Sequence, residues 1–333
     1  MEGGNRMRSP NYRSYLDFPY FVESVNQLPV RAAAEIRLHQ SEPSIHSITV
    51  FPPQHYSTMR LGRWSRPWLG LRKTPRRTVV LGDHQAIIVA VDRGGRQTTR
   101  IIPYTALIDI ELALMILYAY VQFSWIDEGQ AETVKIEFNA VRTAIIREQL
   151  DWLRDMISAR IRYPVPCPEG ELDSLLAKAP GKLRSYLRAA LLPAEPLLIA
   201  VYQSALRRSK GWVRSHGISP NRIVAITDRH LILVEEEFVP YPTYGAITRF
   251  CPLDCIRFVT FESGSDAIRM MVARGTGQTT HEIGIPLSQA NAAVLRDAFG
   301  TTMAIPIRDL PGDACNLPGR QPRGDDQNDQ GNL

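Results

Sequence analysis

The two halves of this 333-residue chain repeat one another. Four stations occur twice in the same order. The first is a Glu-Pro pair ahead of an apolar run: Glu42-Pro43 before residues 45–50, and Glu195-Pro196 before 197–202. The second is a strand-like run with an aspartate inside it, 79–89 around Asp83 and 224–234 around Asp228. The third is a proline followed by a strand-like run, 103–108 from Pro103 and 252–257 from Pro252. The fourth is an alternating run that passes into a helix, 134–138 before 140–157 and 281–285 before 287–299. Matched residues lie 153 (Glu42 to Glu195), 145 (Asp83 to Asp228), 149 (Pro103 to Pro252) and 147 (Ile136 to Ile283) positions apart. Unrelated short strands seldom keep one order and a near-constant offset, and a spread of a few residues is what loop insertions give. The pattern predicts one unit present twice.

Within each copy the runs are short, rich in β-branched and aromatic residues, and separated by turn chemistry such as Asp92-Arg93-Gly94-Gly95 and Gly275-Thr276-Gly277. One helix ends each copy; in the first, Val141, Ile145, Leu150, Leu153 and Ile157 approximate its apolar stripe. Strands closed by a single terminal helix suit a curved sheet or incomplete barrel, with the helix over the open end. The expected fold is therefore α+β, mostly β. A helical N-terminal arm (1–35, with an amphipathic candidate around 15–27) precedes a first domain, 36–160, that carries an insertion at 56–78. The stiff run Tyr163-Pro164-Val165-Pro166-Cys167-Pro168 marks a linker at 161–179. A second domain spans 180–300, and 301–333 turns to Pro, Gly, Asp, Gln and Asn and reads as a disordered tail.

The phrase Ile226-Thr227-Asp228-Arg229-His230-Leu231-Ile232-Leu233-Val234 resembles the apolar-Thr-Asp-Arg-x-Leu strand of bacterial pleckstrin-homology-like (PH-like) domains. The preceding helix, with Leu183, Tyr186, Leu187, Leu192 and Glu195, and the proline-led third station fit the same layout. The first copy departs from it: Gly82 stands where Thr227 does, and Gln85 stands near the place of Arg229 and His230. The resemblance implies two PH-like half-open barrels in tandem, each closed by a C-terminal helix, and a scaffold for binding rather than catalysis. It does not carry a ligand with it.

The chemistry concentrates in the two insertions. Between residues 59 and 77 stand Arg60, Arg63, Arg66, Arg72, Lys73, Arg76 and Arg77, no acidic residue, and Trp64 and Trp68 among them. These seven positive charges exceed the formal +5 of the whole chain. At the same place in the second copy stand Arg207, Arg208, Lys210, Arg214 and Arg222, with Trp212 between. Arginine forks match phosphate oxygens, tryptophan favours the water–hydrocarbon interface, and each basic side chain near an anionic leaflet contributes about 1 kcal/mol. Arg60, Arg63, Trp64, Arg66, Trp68, Arg72, Lys73, Arg76 and Arg77, with Arg207, Arg208, Lys210, Trp212 and Arg214, are the candidate contacts for an anionic membrane surface, a polyphosphate or an acidic protein. The same runs also fit loops whose charges are simply solvated, in a chain with 34 Arg against 5 Lys. The alternative function is a protein-interaction scaffold that takes a peptide through a groove or sheet edge. A nucleic-acid partner would call for exposed aromatics on strands or a recognition helix flanked by basic residues, and neither is evident.

Other classes find less support. Hydrophobic residues at 44% and charged residues at 22% exclude wholesale disorder. Cys167, Cys251, Cys255 and Cys315 are too scattered for a disulfide framework and favour a reducing compartment. Cys251 and Cys255 lack a histidine pair at ligand spacing, so packing is the expected role and no metal or cofactor is expected. The seven histidines are dispersed, and no nucleophile elbow or catalytic carboxylate pair is visible, so no enzyme is expected. The longest apolar run, 112–121, is half of what a spanning helix needs, and no apolar signal core follows the N-terminal arginines. The expectation is a cytoplasmic protein able to meet a membrane from outside.

Overall fold

Segments such as 79–81, 107–113 and 223–226 are buried at every position, and a strand of that kind must be covered on both faces. Stacked layers supply the cover in the computed structural model, which describes residues 18–57, 71–92, 94–115, 118–158, 176–193, 195–210, 214–236, 245–264, 267–276, 279–303 and 305–308. The protein is mostly β, built from antiparallel sheets with a few helices.

The first half opens with β1 (Tyr20–Phe21) and α1 (Val30–His39), followed by β2 (Ile45–Phe51) and the small hairpin of β3 (His55–Ser57) and β4 (Leu71–Lys73). Next come β5 (Arg76–Gly82), β6 (Gln85–Val91) and β7 (Gln97–Pro103), a turn of 3-10 helix after Pro103, and the meander β8 (Leu107–Met115), β9 (Tyr118–Asp127) and β10 (Gln130–Asn139). Helix α2 (Thr143–Ile157) ends this half. In the second half, α3 (Gly181–Ala190) leads into β11 (Leu197–Gln203), and β12 (Leu206–Lys210) pairs with β13 (Arg214–Ser219). Then follow β14 (Arg222–Thr227), β15 (His230–Glu236), β16 (Ala246–Pro252), a 3-10 turn after Pro252, β17 (Ile256–Ser263), β18 (Ile268–Thr276), β19 (Thr279–Leu287), α4 (Gln289–Asp297) and the short β20 (Ile307–Arg308). The order of elements from β2 to α2 is the order from β11 to α4.

The strands form a five-stranded sheet, β1-β2-β5-β6-β7, a seven-stranded sheet, β10-β9-β8-β16-β15-β14-β11, and a four-stranded sheet, β19-β18-β17-β20. The seven-stranded sheet belongs to both halves. Its seam is the antiparallel pair β8–β16, with Glu111 opposite Arg249 and Ile110 opposite Phe250. Strand period divides the buried residues among three cores. On β5 and β6, Val79, Leu81, Ala86 and Ile88 face the central core, while Val80, Ile87 and Val89 face the one under α1. On β14 and β15, Ala225, Ile232 and Val234 face the central core, and Val224, Ile226, Leu231 and Leu233 face the one under α4. The central core also takes Ile146, Leu150 and Leu153 from α2 and Leu183 and Leu187 from α3, so it draws on both halves.

The structure departs from the sequence expectations at several places. The runs 79–89 and 224–234 are not single strands but hairpins, β5–β6 and β14–β15, that turn at Asp83 and Asp228; the apolar stretches flanking the short polar breaks read as one strand. The amphipathic candidate at 15–27 holds β1 and a 3-10 turn over its described part, and the helix begins only after Pro29, whose fixed φ suits a helix start. Among the described residues no sheet closes into a barrel; β8, the strand that would curl toward closure, is paired by β16 of the other half. On α2, Val141 precedes the helix and is exposed, and the buried face is Ile146, Gln149, Leu150, Leu153 and Arg154. Most of the linker at 161–179 and of the tail at 301–333 lies outside the described residues.

Candidate anion-binding ribbon and the charged clasps

Each half carries a hairpin at the same place, between the first and second strands of its meander: β3–β4 after β2 and β12–β13 after β11. Over the described residues the second has the longer paired strands. Its register sets Arg208 opposite His216 and Lys210 opposite Arg214, with a bulge between Leu206 and Arg207. Because alternate residues of a strand share a face, Arg208, Lys210, Arg214 and His216 occupy one face of the ribbon, and Arg207 the other.

The root of this ribbon is pinned. Asn221 accepts from the Ala205 N–H (2.8 Å) and the Tyr202 hydroxyl (3.1 Å), and its Nδ2 donates to Glu236 (2.7 Å). Gln203 at the end of β11 accepts through Oε1 from the Ser288 N–H (2.6 Å) and from Asn291 Nδ2 (2.9 Å), tying the strand to α4. In the first half, Arg72 and Lys73 lie on β4, with Lys73 opposite His55 and Arg72 opposite Tyr56. Arg76 and Arg77 start β5 and make local contacts: Arg76 donates to the Tyr20 hydroxyl (2.9 Å), and Arg77 to the Lys135 carbonyl. Arg60, Arg63, Trp64, Arg66, Trp68 and Trp212 lie outside the described residues.

The residues of the family-like phrase do something else. Thr227, Arg229 and His230 form the β14–β15 turn, and the Thr227 hydroxyl organises it. It accepts from the N–H groups of Arg229 (3.1 Å) and His230 (2.8 Å) and donates to Glu195 Oε1 (2.6 Å). His230 Nδ1 donates to the same carboxylate oxygen (2.7 Å). Glu195 Oε2 accepts from Arg154 Nη2 (3.2 Å) and the Leu192 N–H (2.8 Å). Arg154 is fully buried on α2, donates also to the Ala190 carbonyl (2.8 Å) and to Asp151 (3.1 Å), and lies 3.8 Å above the Phe250 ring. Arg229 reaches Asp155, also on α2. The cluster thus fastens the helix of the first half to the second half.

Burial would raise the Glu195 carboxyl, but His230, Arg154 and Thr227 together hold it down at about 2. Burial, reinforced by Arg154, pushes His230 down to about 4 despite Glu195. His230 is therefore neutral at pH 7, its proton on Nδ1, and its Nε2 has no hydrogen-bond partner. In the first half Gly82 stands in the place of Thr227, and a side chain there would strike the Gln40 amide, which donates to the Ser44 carbonyl (3.0 Å).

A second clasp crosses the other layer. Asp109 on β8 pairs with the buried Arg274 on β18 and accepts from Ser124 (2.9 Å). Arg274 also donates to His281 Nδ1 (2.8 Å). Beside it Glu111 takes Arg249 across the β8–β16 seam and the Tyr120 hydroxyl (2.5 Å). Cys251 is wholly buried there, and burial raises its thiol; burial also pushes Cys255 up to about 12, its Sγ donating to the Leu107 carbonyl (3.3 Å). Neither is a thiolate at neutral pH. Among the described residues no group of His, Cys, Asp or Glu is arranged to hold a metal, and no helix is long and apolar enough to cross a membrane.

Sequence reasoning quoted Glu195, Thr227, Arg229 and His230 only as markers of pattern, and missed Arg154, Asp109 and Arg274. The available signal was polar residues at apolar-stripe spacing: Arg154 follows the buried Leu150 by four on one helix face. A scan against models of known protein families and a search of curated proteins return no match.

Proposed function

We propose that this chain is a non-catalytic binding module made of two PH-like units, and that the basic ribbon of the second unit docks on an anionic surface of clustered phosphates. The reading of two units is supported by the equal succession of elements in the halves, each with a hairpin after its first strand and a proline before its 3-10 turn. The reading of anion binding is carried by one observation, the register that gathers Arg208, Lys210, Arg214 and His216 on one ribbon face. Three permanent cations there would contribute about 3 kcal/mol against an anionic leaflet before screening, enough for a reversible contact and too little for a stable anchor. The corresponding β4 residues Arg72 and Lys73 are consecutive and fall on opposite faces of their hairpin, so they form no matching cluster.

The test is co-sedimentation of the full chain with vesicles of phosphatidylcholine alone and of phosphatidylcholine with phosphatidylserine, at low and high salt. Binding confined to the anionic vesicles, weakened by salt and by Arg208→Gln/Lys210→Gln/Arg214→Gln, is the expected result. Inorganic polyphosphate as competitor separates a membrane from a soluble anion: retained binding to polyphosphate without vesicle binding assigns the ribbon to the soluble ligand. Equal sedimentation of the triple variant and the unaltered chain overturns the reading.

A further inference from the structure

Where β1 stops, β2 keeps an open edge, and a cavity of about 600 Å³ lies against it. β1 covers β2 only at Val50 and Thr49, and the Val22 N–H reaches the Ile48 carbonyl (3.0 Å). The chain then turns away into a 3-10 turn capped by Ser24. From Ser47 back to Ile45, no strand lies on that side of β2 among the described residues. The far wall is α2. Trp152 lies flat on His46 with ring centroids 3.8 Å apart, and Gln149 and Glu148 stand beside it. Gln149 is 7% exposed; its Oε1 accepts from the Thr49 hydroxyl (2.7 Å), and its Nε2 has no hydrogen-bond partner, nor has Ser47 Oγ. Glu23, Glu42 and Glu148 line the cavity, and among the described residues no lysine or arginine does. Glu42 has the Arg37 guanidinium at 3.2 Å.

We propose that this groove binds an extended, arginine- or lysine-bearing peptide segment of a partner protein, laid as an added strand along the open edge of β2. An unpaired edge offers backbone donors and acceptors in strand register, which is what an extended chain needs. Val22, Ile45 and Ile48 accept the inward side chains of such a strand. The carboxylates favour cations on the outward ones and select against acidic segments. The site stands apart from the ribbon and has the opposite charge, so the two readings succeed or fail separately.

The test uses fluorescence anisotropy with the full chain and a labelled octapeptide, Thr-Arg-Val-Arg-Thr-Arg-Val-Thr. Two comparison peptides replace Arg by Glu, or carry N-methyl groups on alternate backbone amides. The expected result is saturable binding of the first peptide, about tenfold or more weaker for both comparisons. Glu23→Lys/Glu148→Lys should weaken the first peptide by a similar factor while leaving the thermal melt unchanged. Absence of saturable binding at millimolar peptide overturns the proposal. So does equal binding of the methylated peptide, which would reduce the effect to charge attraction. Sedimentation velocity showing a dimer that the double variant dissolves would give the groove to a second copy of the chain and also overturn it.

Discussion

Glu195 shows how much a single buried carboxylate can be asked to hold. It accepts from Thr227, His230, Arg154 and a backbone N–H, and these partners come from α2, the β14–β15 turn and the segment after α3. His230, neutral when folded and pushed down to about 4, titrates near 6.5 when unfolded. Below that value the unfolded chain takes up the proton first. Stability therefore falls as pH drops from about 6.5 towards 4 and stops falling for this reason once the folded histidine titrates. The loss at pH 5 relative to pH 7 is about 2 kcal/mol. Glu195, depressed to about 2, adds a further loss at pH below its ordinary range. Urea titrations at the two pH values measure this, and His230→Gln, which keeps a donor for Glu195 without a titrating ring, should lose less between them. Equal losses in the two proteins would refute the assignment. Arg154→Met strands a buried carboxylate with one cation fewer and should cost about 3–5 kcal/mol, whereas Arg154→Met/Glu195→Gln should recover part of it.

At the scale of elements, the ribbon is a two-stranded hairpin with its root bonded at Asn221, and an isolated hairpin is marginal in water. Asn221→Ala removes three hydrogen bonds at that root. Amide exchange across β12 and β13 should quicken about tenfold or more, while β14 and β15, buried in the seven-stranded sheet, keep their protection. Exchange rising equally in all four strands would show that Asn221 serves the whole sheet. The same scale explains what the sequence disclosed. The succession of runs and the terminal helices were legible because each rests on local pattern, whereas the segments directly after Pro103 and Pro252, read as strand, are 3-10 turns. The hairpin turns at Asp83 and Asp228 were legible only in part: the polar breaks Asp83-His84-Gln85 and Thr227-Asp228-Arg229-His230 are turn chemistry, but the apolar runs on either side read as one strand. The β8–β16 seam was not legible, because pairing between strands distant in the chain leaves no local trace; only Glu111 and Arg249, opposite charges within apolar runs, hint at it. The groove was invisible for a similar reason. It arises where a two-residue strand stops short of its partner, and its walls come from three separate segments.

The whole molecule is bound together by more than a linker. The central core takes side chains from both halves, the seven-stranded sheet crosses between them, and Arg154–Glu195 and Arg274–Asp109 each join one half to the other. Two independent domains would each keep a private core and would unfold separately, with the weaker one melting first. Here neither half can unfold without exposing the paired edge of β8 or β16 and leaving buried charges without partners, and both consequences are costly. The full chain should therefore show one calorimetric transition whose van't Hoff and calorimetric enthalpies agree. Asp109→Asn should lower that transition without splitting it, because the shared core remains. Two resolved transitions in the unaltered chain would mean that the seam contributes little cohesion. The ribbon and the groove would then sit on bodies free to turn against each other rather than on one frame that fixes a cationic site and an acidic site in constant relation.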